Sequence, residues 1–290
     1  MPGFAVPAGA TDCHMHVFGN MADYPPATLR AYDPTPANMA EYRGVFVPLG
    51  FSRIVLVQPS AYGTDNRCML EALRADDAAA TRGVAVIDGT TTEAELDAMA
   101  VLRVRGIRLN LVSNGIPDPA AAIAALRGAA ARIGPRGWHV QIFCLPSLLM
   151  ALAPAIATLG VPVVVDHMGG ADARLGARQP GLDELVDLVA AGACWVKVSG
   201  PNRVSRAPSG FRDALPVARR LIEANPARVV WGSDWPHIGP HKVGAPETVI
   251  YMKHDNTDLV RILGEAAGGD PALLQQVLVD NPASLYGFDA

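Results

Sequence analysis

Arg53-Ile54-Val55-Leu56-Val57-Gln58 holds four aliphatic residues in a row and runs straight into the turn-forming Pro59-Ser60-Ala61-Tyr62-Gly63. A strand with one wet face alternates apolar and polar residues. A run that is apolar at both phases predicts a strand buried on both faces, as in a parallel sheet covered by helices. Working outward, the pattern repeats. Upstream, Thr11-Asp12-Cys13-His14-Met15-His16 follows an apolar start, and the period of two in a strand points His14 and His16 to the same side. Downstream come Gly83 to Asp88, Gly106 to Leu111, His139 to Cys144, Pro162 to His167, Trp195 to Ser199 and Arg228 to Asp234. Helical stretches separate them: 38–49, 65–79, a short one from the cap-like Thr92, one from Asp118-Pro119, then 147–158, 180–191, 209–225 and a last region over 257–284. Eight such units predict a (β/α)8 TIM barrel, one domain over residues 1–290. An open doubly wound sheet is the alternative, but it normally carries a glycine-rich phosphate loop, and there is no GxGxxG here.

Composition narrows the function without choosing it. With 290 residues, half of them hydrophobic, the chain can bury a large core. A net charge of -4 leaves no electrostatic footprint for nucleic acid, and no run of like charges suggests a membrane-binding patch. Residues 1–10 lack a signal-peptide pattern, and no apolar run approaches the ~18 residues of a membrane span, so a soluble cytoplasmic protein is expected. Cys13, Cys68, Cys144 and Cys194 show no CxxC spacing and read as buried free thiols. The sequence leaves room for a homo-oligomer and does not argue for one.

In a (β/α)8 barrel the C-terminal ends of the strands meet at one mouth, where chemistry is done. The polar residues expected there are His14 and His16, Ser60, Arg108 and Asn110, His167, Ser199 and Arg203, and Asp234 followed by Trp235-Pro236-His237. The proline-rich loop over 17–36 is long enough to cover them. Arg108 could equally close an ion pair inside the barrel. His139, at the start of its strand, belongs to the opposite mouth, and His241 and His254 fall in a polar loop expected to face solvent. His14, His16, His167 and Asp234 together are the expected catalytic set. They offer two hydrolytic chemistries: a divalent metal that acidifies a bound water, or imidazoles that donate to a carbonyl oxygen while Asp234 takes a proton from water.

Asp12-Cys13-His14-Met15-His16, Asp166-His167-Met168-Gly169 and Gly232-Ser233-Asp234-Trp235-Pro236-His237, in this order, resemble the amidohydrolase superfamily. The resemblance is greatest to its branch of 2-pyrone-4,6-dicarboxylate lactonases, with sugar-lactone hydrolases and a lactone isomerase as relatives. It extends along nearly the whole chain through Asp65-Asn66-Arg67, Gly106-Ile107-Arg108, Gly137-Trp138-His139-Val140 and Asp280-Asn281-Pro282. It implies that His14, His16 and His167 polarise a lactone carbonyl and that Asp234 is the general base of a lactonase. It also implies a metal-independent reaction with no cofactor. Strands 4 and 5 offer Asn110 and Phe143 where the wider superfamily has metal ligands, and neither replaces a strong ligand; a divalent metal such as zinc stays open only through a three-ligand site of His14, His16 and Asp234. The substrate-binding set is Ser60, Arg108, Asn110, Phe143, Arg203 and His237. Asn114 and Gly170 stand where the relative has arginine, and Phe143 where it has tyrosine, so the expected substrate is a small lactone with one carboxylate, of sugar-acid or aromatic-catabolic origin. A metal-dependent decarboxylase, a lactone isomerase and a non-catalytic sugar-acid-binding barrel are the competing readings.

Overall fold

The computed structural model describes residues 3–113, 115, 118–207, 209–239 and 247–289. Eight parallel strands follow one another in chain order around one sheet. They are β1 (Thr11–Met15), β2 (Arg53–Val57), β3 (Thr81–Ala85), β4 (Val104–Asn110), β5 (His139–Phe143), β6 (Val163–Val165), β7 (Trp195–Ser199) and β8 (Val229–Gly232), with a helix between each successive pair. This is the (β/α)8 barrel that the apolar runs predict.

The ring closes between β8 and β1. The Asp234 N–H donates to the His14 carbonyl at 2.7 Å and the His16 N–H donates to the Trp235 carbonyl at 2.9 Å. Asp12 reinforces this seam: its Oδ1 accepts from the backbone N–H groups of Ser233 at 2.9 Å and His14 at 3.0 Å, and its Oδ2 from the Tyr42 hydroxyl at 3.0 Å. Burial pushes the Asp12 carboxyl up to about 6, against those hydrogen bonds. Gly232 is required here, since a Cβ at that position would lie 2.5 Å from the His14 Cβ. The closure of the barrel therefore fixes the relative position of His14, His16 and Asp234.

Helix starts follow the caps in the sequence. Asn38 and Thr92 each form a capping box, with Glu41 and Glu95, and Asp118 accepts from the Ala121 N–H ahead of Pro119–Ile133. β4 starts two residues before its apolar run and β8 stops at Gly232, and β3 and β6 differ from their runs for identifiable reasons. β3 begins at Thr81 and stops at Ala85 because the Asn66 amide takes both the N–H (3.0 Å) and the carbonyl (2.8 Å) of Val86 out of the ladder. β6 keeps only Val163–Val165, because Pro162 has no N–H to donate and His167 turns to a φ of 50°.

Alternate residues share a face, so β4, β5 and β7 send Arg108 and Asn110, Gln141 and Phe143, and Lys197 and Ser199 into the barrel. The other phase, including Ile107, Val140, Ile142, Val163, Val165, Val196, Val198 and Trp231, packs beneath the helices. Burying each of these side chains is worth about 1.5–3 kcal/mol. Tyr286 and Phe288 close the far end of the barrel against Cys13, Val55, Val84 and Val230. All four cysteines are free and buried. Among the described residues no helix is long and apolar enough to cross a membrane.

His139 lies at that far end, edge-on to Tyr286 with ring centroids 5.2 Å apart, and burial pushes its imidazole down to about 3 from 6.5. A base with a depressed folded pKa contributes stability that is present above the unfolded value and is lost as pH falls towards the folded value. The fold should therefore lose about 2–3 kcal/mol through His139 alone on going from neutrality to roughly pH 4.5. His139→Phe should lessen the pH dependence by that amount in urea unfolding measured at both pH values. An unchanged difference would show that His139 does not contribute to acid sensitivity.

Candidate active site

All four expected catalytic side chains converge at the mouth, and all four are buried. The Nε2 atoms of His14, His16 and His167 lie 3.7, 3.5 and 3.7 Å from one oxygen, Oδ1 of Asp234. The other oxygen, Oδ2, accepts from Arg203 Nε at 2.5 Å. Each imidazole is anchored on its far side. His16 Nδ1 meets the Val57 carbonyl at the end of β2 at 2.7 Å, and His167 Nδ1 meets Ser199 Oγ on β7 at 3.0 Å. His14 Nδ1 lies 3.3 Å from Lys197 Nζ and 3.2 Å from Asp166 Oδ1.

The backbone is bent to reach this arrangement. His167, Asp234 and His237 all have positive φ, at 50°, 60° and 67°. Such residues cost of order 1–2 kcal/mol each and persist where surrounding bonds hold them. Here the Asp234 N–H is held by His14, and the Asp234 carbonyl holds the His237 N–H at 2.9 Å.

The electrostatics separate the acids from the bases. Burial alone would raise the Asp234 carboxyl, but Arg203 and the surrounding imidazoles outweigh it and hold Asp234 well below the usual carboxylate range. Burial pushes His167 down to about 3 and His14 well below its ordinary value, with Lys197 adding to the effect on His14. At neutral pH the site thus pairs an ionised carboxylate with neutral His14 and His167.

A cavity of about 100 Å³ opens above this set. Ser60, Arg108, Asn110, Phe143 and Arg203 all line it, with His16 and His167 at its base. Arg108 also takes the structural role open to it, since its Nε bonds Asp166 Oδ2 at 3.0 Å. Asn110 is largely committed to its own loop: Oδ1 accepts from the Val112 and Ser113 N–H groups, and Nδ2 donates to Ser113 Oγ. Ser60 bonds Tyr32, which the loop over 17–36 contributes to the cavity wall.

His237 stands apart from the expected substrate-binding set. It is buried and does not line the cavity, because its positive φ turns the ring so that Nε2 meets Asn256 Oδ1 at 2.7 Å. His254 is half-buried between Phe211 and His237 rather than facing solvent. His241 and Asn114 lie outside the described residues.

A second layer escaped the sequence reading. Asp166 accepts from Arg108 and from Gln141 Nε2 at 3.0 Å each, and Lys197 donates to Gln141 Oε1 at 2.7 Å. Burial raises Asp166, but His14, Lys197 and Arg108 outweigh it and keep it ionised, well below its ordinary value. The signal was available: Gln141 and Lys197 each interrupt an apolar strand at the inward phase. A polar residue at that phase has to find partners inside the barrel.

The chain matches the family model described as amidohydrolase over residues 11–288. It is 35% identical to a 2-pyrone-4,6-dicarboxylate hydrolase of Comamonas testosteroni, over 98% of this chain and 92% of that protein. It is 31% identical to a 4-sulfomuconolactone hydrolase of Hydrogenophaga intermedia, over 98% of this chain and 90% of that protein. Among solved structures, a protein of Pseudomonas putida described as a 2-pyrone-4,6-dicarboxylic acid hydrolase superposes with a TM-score of 0.79 at 35% identity, covering 98% of this chain and 99% of that one. With its barrel, its seam and its histidine-aspartate mouth, the chain belongs to the amidohydrolase family.

Proposed function

We propose that this protein is a lactonase that opens a small anionic lactone by attack of water on the ring carbonyl. The observation that carries the reading is the convergence of three imidazole Nε2 atoms on Asp234 Oδ1 at 3.5–3.7 Å, in a buried pocket bordered by two arginines. At these distances the Nε2 atoms and Asp234 Oδ1 are not held to one another by strong hydrogen bonds, so they can turn to a water and a carbonyl oxygen bound at the mouth beside them. Asp234 is ionised and has an oxygen with no hydrogen-bond partner, so it can take the proton of the attacking water. The Nε2–H of neutral His14 and His167 donates to the carbonyl oxygen as it gains charge, while His16, whose Nδ1 proton is held by the Val57 carbonyl, borders the site. The ring oxygen leaves with a proton, which Asp234 holds and can return.

The substrate's anionic group is placed against Arg203 and Arg108. Both hydrolases named above act, by their names, on anionic lactones, a dicarboxylate and a sulfonated one. The favoured substrate here carries one carboxylate rather than two. Gly170, where the resemblance has an arginine, has a φ of 68°, and a Cβ there would lie 3.1 Å from the Cys144 carbonyl, so a side chain on this loop path would be strained. A second carboxylate would be desolvated without a forked donor.

A resident divalent cation fits this donor set poorly. His14, His16 and Asp234 do offer ligand atoms within 4.8 Å of one another. However, Arg203 already sits on Asp234 at 2.5 Å, and the buried Lys197 lies 3.3 Å from His14, so two of the three groups have a cation against them. β4 and β5 add Arg108, Asn110 and Phe143 at the mouth, none of them a strong metal ligand. These observations support a metal-independent reaction.

A pH-indicator screen of a lactone panel tests the function, because ring opening releases a proton at neutral pH. Monoanionic lactones should be opened most efficiently, with the pyrone dicarboxylate behind them. If no lactone were opened by purified protein, with or without added zinc, the lactonase reading would be wrong. If the dicarboxylate were the best substrate, the argument from Gly170 would be wrong.

A further inference from the structure

Beneath the three imidazoles, Lys197 is buried in the barrel with none of its surface exposed. An ammonium has three N–H donors. Two of them are spent on the Cys13 carbonyl at 2.8 Å and Gln141 Oε1 at 2.7 Å. For the third there are two neighbours, His14 Nδ1 at 3.3 Å and Asp166 Oδ1 at 3.5 Å. The contact of Nζ with Nδ1 has hydrogen-bond geometry, whereas the contacts of Asp166 Oδ1 with Lys197 Nζ at 3.5 Å and with His14 Nδ1 at 3.2 Å are ion-pair contacts that compete with it. Asp166 is not short of donors, because its other oxygen already accepts from Arg108 and Gln141.

A neutral imidazole carries one ring proton. If Nδ1 accepts from Lys197, that proton must be on Nε2. His14 Nε2 is buried, has no hydrogen-bond partner and faces the reacting end of Asp234 at 3.7 Å. His16 is set the other way. Its Nδ1 must donate to the Val57 carbonyl at 2.7 Å, which leaves a lone pair on Nε2. The two rings stand edge-on with centroids 5.0 Å apart, yet they present opposite polarity to the mouth.

We propose that Lys197 is a positioning residue that selects the tautomer of His14: by donating to Nδ1 it presents Nε2–H to the lactone carbonyl and withholds the Nε2 lone pair from a divalent cation. The catalytic half of this inference rests on the lactonase reading, and the tautomer itself does not. Without the ammonium, the Nδ1 proton would have Asp166 Oδ1 as its acceptor, 3.2 Å away. A carboxylate behind the imidazole is the arrangement that commonly backs metal-bound histidine. His14 Nε2 would then join His16 Nε2 and Asp234 Oδ1 as a third lone-pair donor within 4.8 Å. The position of one proton therefore separates a hydrogen-bonding cradle from a metal-binding site.

Nitrogen NMR of the full-length protein labelled in its histidine rings, with His14 assigned by comparison with His14→Gln, tests this directly. The native protein should carry the His14 proton on Nε2. Lys197→Met should move it to Nδ1, lower kcat on the best lactone about 10²-fold with KM little changed, and tighten zinc binding in calorimetry at least roughly tenfold. Asp166→Asn, which keeps Lys197, should retain the Nε2 proton. A proton on Nδ1 in the native protein would overturn the proposal, and this spectrum needs no variant to fold. Retention of the Nε2 proton in Lys197→Met, or zinc affinity equal to native, would also overturn it. None of the spectra or zinc titrations uses a lactone, so failure of the substrate screen and failure of the tautomer assignment can be told apart.

Discussion

Asp234→Asn is expected to lower kcat on the best lactone by on the order of 10³-fold while leaving the protein folded and able to bind ligand. An amide cannot take the proton of the attacking water. The fold should survive, because the seam bonds at this position are made by the Asp234 backbone N–H and carbonyl, which the substitution leaves in place. Binding should hold or tighten, because Arg203 loses its own carboxylate partner and is left to the substrate anion alone. Steady-state kinetics together with calorimetric binding of the hydroxy-acid product check both halves. A variant with kcat within roughly tenfold of native would exclude Asp234 as the base. Loss of binding and turnover together, with a lowered melting temperature, would indicate a structural role instead.

Arg203→Met should produce the second large effect, and its pattern across substrates is more informative than its size. The guanidinium does two things at once: it borders the cavity, and it bonds the Asp234 carboxylate at 2.5 Å. Asp234 is fully buried and the Arg203 side chain is 25% exposed, so truncating Arg203 leaves a buried carboxylate unpaired at a cost towards the lower end of the about 2–5 kcal/mol of fully buried pairs. A loss of about 10²-fold in kcat/KM is therefore expected for a monoanionic lactone, and a smaller one for a neutral lactone of the same ring size. The pH profile should change as well. With Arg203 removed, burial is opposed by one cation fewer, so the Asp234 carboxyl rises. Because the base must be ionised, activity would then fall away at a higher pH on acidification than in the native protein. Arg203→Lys should recover part of the charge effect without the forked geometry. Equal losses on anionic and neutral lactones, with an unmoved acid limb, would remove Arg203 from substrate recognition.

Much of this protein is determined by sequence alone. The doubly apolar runs such as Ile54–Val57 permit only strands covered on both faces, and their repetition with helices between them leads to the barrel. Asn38, Thr92 and Asp118 start helices where capping chemistry says they should. His14, His16, His167 and Asp234 stand at strand ends, and a barrel has one mouth at which such ends meet, so the convergence of these four side chains was legible from strand phase and fold. Where a strand stops was less legible. Asn66 ends β3 through contacts that no local pattern encodes.

What only the tertiary structure decided is how those residues are used. The seam that draws Asp234 against His14 depends on Asp12, Ser233 and Gly232 meeting across the ends of the chain, more than two hundred residues apart in sequence. Arg108 proves both a wall of the cavity and a partner of Asp166, and Asn110 a brace for its own loop, because hydrogen bonds are finite and each is given to the neighbour that folding supplies. The same holds for His237, which a left-handed turn points at Asn256. Residue type and spacing are properties of the chain and can be read along it. The partner of a buried polar atom is a property of three-dimensional proximity, and at this mouth the partners set charge, ring orientation and the location of each proton.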